Sequence, residues 1–393
     1  MRKLARDPAL VGLFVVLASA AVSTGCAPNP VRHSAPARID SRLWRDARRA
    51  DALGLTPTAA LSTAFGSIAD VSRALSEGEP DRSPAPGSSR GAVSGISGGK
   101  ETGADLRTGD QEWFASALER HRDEIDDALD ETGHRATFVG FAEDPRLRFV
   151  YVDQTMKFYN EQGRKFTEGA NLFVSNRMVG RLANRLVLTA DPEIYFNENR
   201  NVELDGSDEG VRMQELTLSG RLGPAELTVG RTPLWWGPGR HGALLLSNNA
   251  QPLDLIRLST AGPLLLPGPL AHLGLIRAEV FASQLEDERP VPRPYLAGAR
   301  VTTRLFPWLE VGASRTAMFG GKGRNVDPGT VWDVITARTE NDETGDPGNQ
   351  LGSIDGRLII PWELQPFELY GEYGGEDEAG GFFSRTAYLA GVY

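Results

Sequence analysis

Two hydrophobic periods divide the chain. Up to about residue 133 apolar positions recur at helical spacing, and from about Ala136 they alternate with polar ones. Ile39, Leu43, Trp44, Ala47 and Ala50 fall on one helical face before Gly54 interrupts the pattern. Thr56-Pro57 then offers an N-cap followed by proline at the first helical position. Leu61, Phe65, Ile68, Val71 and Leu75 recur at the same spacing, with Gly78 as a stop. Residues 38–78 therefore predict a helical pair. Phe114, Leu118, His121, Ile125 and Leu129 predict a third helix over 110–133, on which His121 reads as a boundary residue rather than a ligand. The stretch 79–109 between them is dense in Ser, Gly, Pro and charge and predicts a flexible linker.

The second period is that of strands. Along Val211–Leu222, Arg212, Gln214, Leu216, Leu218, Gly220 and Leu222 alternate with Val211, Met213, Glu215, Thr217, Ser219 and Arg221. Tyr295–Leu305 alternates in the same way, and Phe367, Leu369, Gly371 and Tyr373 alternate with Glu368, Tyr370 and Glu372. Such segments of about ten residues match a tilted membrane strand, although a soluble antiparallel sheet with one wet face carries the same alternation. Strand length, long Gly/Asn/Asp-rich loops (Gly320–Gly329, Glu340–Gly352) and the N-terminus favour the membrane. Met1–Asp7 is basic and Leu10–Val22 is apolar but short, the layout of a secretory signal over residues 1–26. Ser23-Thr24-Gly25-Cys26 resembles a lipobox, with Ser23 where leucine is preferred, so Cys26 is a candidate lipidation site. No second apolar run is long enough to span as a helix, which leaves a closed barrel as the membrane solution. The expected fold is mainly β: an antiparallel transmembrane β-barrel over 135–393, preceded by a small periplasmic helical bundle.

Composition narrows the functions. Hydrophobic residues are 40 % of the chain and mean hydropathy is −0.30, values that barrel strands reach because lumen-facing residues dilute the lipid-facing ones. A net charge of −10 argues against nucleic acid as a partner. The acidic run Asp123, Glu124, Asp126, Asp127, Asp130 and Glu131 reads as a solvated helix end. A single cysteine excludes a disulfide framework and a zinc cluster. Gly237–Gly242 fits a dinucleotide fingerprint by spacing, but no βαβ unit surrounds it. Gly95-Ile96-Ser97-Gly98-Gly99 fits a nucleophile elbow, but lies in the linker. Neither a zincin motif nor a Walker loop occurs, so no cofactor, metal or catalytic residue is assigned. Glu215, Glu279, Glu310, Glu368 and Glu372 occupy expected inward positions, where they form either a glycosidase-like carboxylate set or the polar lining of a water-filled barrel; the lining is the preferred reading.

The most specific stretch is Gly230-Arg231-Thr232-Pro233-Leu234-Trp235-Trp236-Gly237-Pro238-Gly239, followed by Gly242-Ala243-Leu244-Leu245-Leu246-Ser247-Asn248-Asn249-Ala250 and Pro252. It resembles the signature of the Wzi-type capsule-assembly family. Weaker likenesses lie at Leu53-Gly54-Leu55, Tyr295–Arg300, Glu310–Arg315 with Gly320-Gly321, and Tyr388–Gly391. The resemblance implies an outer-membrane barrel of about 18 strands with a periplasmic helical bundle. It also implies a non-enzymatic lectin that binds exported capsular polysaccharide and helps attach or assemble it at the cell surface. Its partners would be capsular polysaccharide and outer-membrane lipid, and its state monomeric. Trp235, Trp236, Arg240, Asn248 and Asn249 are the candidate sugar contacts, since indole rings stack on sugar faces and amides and guanidinium forks pair with hydroxyls and carboxylates. Gly237, Pro238, Gly239 and Ser247 read as structural members of the motif, and the tryptophans serve equally well as interface anchors or as a plug in the lumen. A diffusion porin and a periplasmic glycan-active enzyme are the alternatives. The 258 residues from Ala136 to Tyr393 give about 13 or 14 strands at roughly 18 to 20 residues each. That shortfall, with a C-terminus inside the strand-like run Arg385–Tyr393, favours a barrel cut short, against which stands the terminal aromatic Tyr393.

Overall fold

The structure, a computed structural model, describes residues 41–56, 68–76, 108–129, 137–141, 145–183, 185–199, 208–324, 326, 327, 329, 348–362, 365–376 and 384–393. The signal, Cys26 and residues 79–107 lie outside them, while Thr108 and Gly109, expected to end the linker, instead open a helix. Among the described residues four helices come first: α1 (Arg42–Ala52), α2 (Ile68–Ser76), α3 (Thr108–Arg120) and α4 (Arg122–Leu129). Ser41 caps α1 by accepting from the Trp44 amide at 3.2 Å. Gly54, at φ +76°, ends it in the left-handed region that a Cβ disfavours. At His121 α3 and α4 bend without losing their hydrogen-bond ladder, since the His121 amide donates to Ala117 and the Ile125 amide to His121. Leu43, Trp44, Ala47, Ala50, Val71, Leu75, Phe114, Leu118 and Ile125 share one apolar cluster.

Fifteen strands form one antiparallel sheet. They are β1 (Phe138–Phe141), β2 (Arg146–Val152), β3 (Gly169–Ser175), β4 (Met178–Leu182), β5 (Leu186–Asn197), β6 (Glu209–Leu222), β7 (Ala225–Thr232) and β8 (Leu253–Thr260). After these come β9 (Leu264–Leu265), β10 (Leu275–Gln284), β11 (Tyr295–Phe306), β12 (Leu309–Phe319), β13 (Gly348–Ile360), β14 (Phe367–Glu376) and β15 (Ser384–Val392). Three are continuations of a neighbour across a break. β1 and β2 face β4 and β3 respectively, β3 and β4 share the edge of β5, and β8 and β9 share that of β10. Among the described residues the sheet is thus a meander of twelve staves, with strands of up to 14 residues and a long connection at 233–252. Its edges, β1–β2 and β15, are not paired with each other among the described residues.

The two faces of the sheet invert the usual order of a soluble protein. The inner face buries Arg177, Glu215, Arg257, Glu279, Arg300, Glu310, Arg357 and Glu368 to 2 % exposure or less. The outer face leaves Val139, Leu147, Phe149, Val211, Leu222, Ile354 and Tyr388 more than half exposed. Apolar-out and charged-in is the pattern of a strand whose outer solvent is hydrocarbon, and an apolar face of this extent is not what a water-soluble sheet presents. Exposed aromatics mark both ends of the strands: Phe306 and Trp308 stack at 5.0 Å beside the β11–β12 turn and Trp362 follows β13, while Tyr151 on β2 and Phe196 on β5 lie at the other end. Those are the levels at which aromatic rings settle at a bilayer interface.

Strict alternation misplaces part of β6. A bulge lets Asp191 face Glu215 while Pro192 faces Met213, so Gln214 is the extra residue. Gln214 and Glu215 are consequently both buried, so Arg212 and Gln214 point inward before the bulge and Glu215, Thr217 and Ser219 after it, where strict alternation puts only the odd-numbered set with Glu215 inside.

The short-turn end is also where the helices sit. Asp51 of α1 reaches Arg304 and Arg357 near the ends of β11 and β13. Asp70 of α2 lies 3.9 Å from Arg277 at the start of β10, and Ile68 rests on Val179 and Val187. At the opposite end are the longer connections 153–168, 233–252 and 285–294 and the loop opening at Gly320.

Candidate functional site

The 233–252 connection folds back into the space enclosed by the sheet. It leaves β7, descends to Gly237-Pro238-Gly239, and returns to β8, with the Trp236 amide donating to the Leu246 carbonyl at 2.9 Å. It touches the sheet in three separated places. The Trp236 indole NH donates to the Glu279 carboxylate on β10. Glu372 on β14 accepts from the amides of Gly239 at 3.2 Å and Leu244 at 2.8 Å. The carbonyls of Asn248 and Asn249 accept from the amides of Gln162 and Gly163 in the β2–β3 connection. Because these partners span the sheet nearly from edge to edge, the sheet must wrap around the connection.

The glycine-rich composition of this turn follows from its crowding. Gly237 sits at φ +139°, and a Cβ there would run into the Glu372 carboxylate. On the opposite wall Gly298 leaves room for the Trp236 ring, since a Cβ would come within 2.7 Å of it. Trp236 packs edge-on against Phe281 at 5.4 Å and is 1 % exposed.

Beneath the turn lies a buried ionic network that joins α1 to the sheet. Arg48 donates to the Pro238 carbonyl at 3.2 Å through both terminal nitrogens, and to Glu368. Asp51 is fully buried, with one oxygen 2.8 Å from Arg304 and the other 2.6 Å from Arg357. Arg357 also meets Glu368 at 2.7 Å and Glu310 at 3.4 Å. Arg240 pairs with Glu368 at 3.2 Å and lies over the Tyr393 ring. Charges at this depth are tolerable only when each is paired and hydrogen-bonded. A second cluster lies nearer the long-loop end, where Glu193 holds Arg164 at 2.5 Å and Arg212, and Arg148 pairs with Glu161.

All five inward carboxylates expected from the sequence are buried here, and each has partners. Glu215 holds Arg177 at 2.8 Å, Glu279 holds Trp236 and lies 3.8 Å from Arg257, and Glu310, Glu368 and Glu372 are engaged as described. The candidate sugar contacts are divided. Trp235 and Trp236 are buried, with the Trp235 indole NH turned to the Gly237 carbonyl at 3.2 Å. Asn248 is 6 % exposed, Arg240 is half-buried and Asn249 exposed, its side-chain carbonyl accepting from the Asn160 amide at 2.7 Å. Ser247 accepts from the Asn249 amide at 3.4 Å. Arg48 and Asp51 are members that the sequence reading passed over. The signal for them is present: they continue the stripe Trp44, Ala47, Arg48, Asp51 at helical spacing, which puts two charges on a buried face.

In the helical segment, away from the sheet, His121 donates from Nε2 to Asp46 at 3.0 Å and lies 4.0 Å from Glu124, and Arg120 meets Asp46 at 3.1 Å. Burial alone would lower the His121 pKa; the hydrogen bond to Asp46 and the neighbouring Glu124 outweigh it and raise it. Burial would likewise raise Asp46 and Glu124, and their partners hold both below the ordinary carboxylate range. Among the described residues no cluster of His, Cys, Asp and Glu is arranged to hold a metal ion.

The chain is similar to an uncharacterized 55.8 kDa protein in the cps region of Klebsiella pneumoniae, 33 % identical over 170 residues, which is 42 % of this chain and 33 % of that protein. The match thus spans a third of that relative's length. A solved structure of Wzi from Escherichia coli, described as an outer-membrane carbohydrate-binding β-barrel involved in group 1 capsule assembly, superposes with a TM-score of 0.61. It shares 20 % identity, over 91 % of this chain and 67 % of that one, a likeness that carries the fold. The family profile described as capsule assembly protein Wzi matches residues 147–393, which takes in the whole sheet from β2 onward and the in-folded 233–252 connection. The chain belongs to the Wzi family of capsule assembly proteins.

Proposed function

We propose that this protein sits in the bacterial outer membrane as a β-barrel, binds exported capsular polysaccharide without chemically altering it, and so helps fix the capsule at the cell surface. The observation that carries the reading is the inverted sheet: an apolar outer face around a lumen whose charges are paired with one another. Membership of the family supplies the polymer. The carboxylates that hydrolysis would need are each engaged by an arginine, an indole NH or backbone amides, which suits a scaffold better than an acid–base pair.

Within the family motif, Trp235 and Trp236 carry shape, Arg240 is turned to Glu368 in the junction with α1, and the polysaccharide falls to the residues at the long-loop end, with Asn249 as the motif's accessible member there. The alternating lipid-facing side chains require detergent for extraction. The test is therefore joint: purification of the mature chain in detergent, a heat-dependent shift in gel mobility, and co-sedimentation with capsular polysaccharide from the encapsulated parent strain but not with dextran. A chain that stays soluble without detergent and cleaves the polymer would contradict both halves of the reading.

A further inference from the structure

At the long-loop end, outside the motif, the connections 285–294 and 320–324 enclose a cavity of about 530 Å³ lined by Gln284, Asp287, Arg293, Tyr295, Lys322 and Arg324 among others. Its size lies within the roughly 300–1,000 Å³ range of small-molecule sites. The two loops hold each other in place: the Lys322 amide donates to the Pro292 carbonyl at 2.8 Å, the Arg293 amide to Glu286 at 3.1 Å and the Leu285 amide to Pro294 at 2.9 Å. Gly320 and Gly321 lie at φ +67° and +107°, and a Cβ on Gly321 would come within 2.7 Å of Val291, so the approach of the loops depends on the glycines. Arg293 is a non-glycine residue at φ 55°, a conformation that persists where surrounding structure enforces it and that often marks a ligand site.

The charges in the cavity do not cancel. Arg293 is paired with Asp287 at 2.5 Å, but Lys322 and Arg324 are exposed and have no acidic partner among the described residues. This contrasts with the lumen, where the buried guanidinium groups are tied to carboxylates. Tyr295, tilted against Phe319 at 5.9 Å, adds a ring at the wall, and Gln284 adds an amide that can both donate and accept. Two cations without an acidic partner among the described residues, an aromatic face and an amide in one concavity are the complement of a sugar ring that carries a carboxylate.

We propose that this cavity is a subsite for a carboxylated sugar of the polysaccharide, with Lys322 and Arg324 holding the carboxylate and Tyr295 flanking the ring. It rests on the polysaccharide-binding reading and adds to it a substrate class and a place. Calorimetric titration of the detergent-solubilised full chain with oligogalacturonate, and with the same oligomer after carboxyl reduction, tests it. The unmodified protein binds the acidic oligomer and not the reduced one, and binding weakens with salt. Lys322→Gln with Arg324→Gln lowers affinity by about tenfold or more, since even one lost charge-assisted bond is worth roughly that factor. Arg289→Gln, on the same loop but outside the cavity, leaves affinity unchanged, and the heat-dependent mobility shift verifies that each variant is folded. Equal binding of acidic and reduced oligomers, unchanged affinity in the double variant, or no binding of the acidic oligomer by the unmodified protein overturns the subsite. If capsular polysaccharide still co-sediments in those cases, the broader function survives; if it does not, both fall.

Discussion

Asp51 is the residue on which the junction between helices and sheet most depends. Its two oxygens are divided between Arg304 and Arg357, and nothing about the site is open to water. Asp51→Ala leaves two buried guanidinium groups without that counter-charge, and a broken buried pair costs about 3–5 kcal/mol. The expected result is a lower midpoint of heat-dependent mobility shift, or a protein that fails to mature. The exposed pair Arg231–Asp254 is the control: at 2.7 Å but with side chains 39 % and 54 % exposed, its loss by Arg231→Gln should cost under about 1 kcal/mol. Gly237→Ala tests the in-folded turn separately. It forces a Cβ both into the left-handed region and into the Glu372 carboxylate, and about 1–3 kcal/mol of destabilisation follows. Measured as a shift in the same midpoint, a neutral Gly237→Ala would show that the turn is not held as described.

Among the elements, the α3–α4 helical stretch carries a pH dependence through His121 and its carboxylate partners. His121 has a raised pKa when folded, so its contribution is fully present below the ordinary value of about 6.5 and is lost as pH rises through the folded value. Asp46 and Glu124 have lowered pKa values, so theirs is present above the ordinary carboxylate range and is lost as pH falls below it. Protection from hydrogen exchange across 108–129, taken relative to the base-catalysed rate of an unstructured chain at each pH, should therefore be greatest in mildly acidic solution and fall toward pH 8, and His121→Gln should flatten that fall. Protection that increases from pH 6 to 8 would refute the assignment. The same scale shows what could be read in advance. The alternation in β11 and β14 put Arg300, Arg304, Glu368 and Glu372 on the inner face, where they lie. It failed in β6, because a bulge at Gln214 changes the phase without any change in residue type. The motif at 235–249 was legible as a specific run, but its descent into the lumen was not, since the partners that draw it in, Glu279 and Glu372, are distant in the chain. Arg48 and Asp51 were hidden for the same reason. A charge on a helix stripe looks like a flaw until the arginines of β11 and β13 are brought beside it.

For the molecule as a whole, the in-folded connection and the docked helices both occupy the path a solute would take along the lumen. In planar bilayers the protein should show no steady conductance, whereas replacing 236–246 by a short Gly-Ser link, with the helical segment removed, should open a channel. Steady conductance from the unmodified protein would favour a porin instead. Wzi-family membership and the inverted sheet together lead to a surface role, and the decisive measurement is made on cells. Deleting the gene in an encapsulated strain and assaying cell-bound and shed capsule separately should show the bound fraction fall and the shed fraction rise while total polymer is maintained, with restoration by the intact gene. An unchanged bound fraction in the deletion strain would contradict the account.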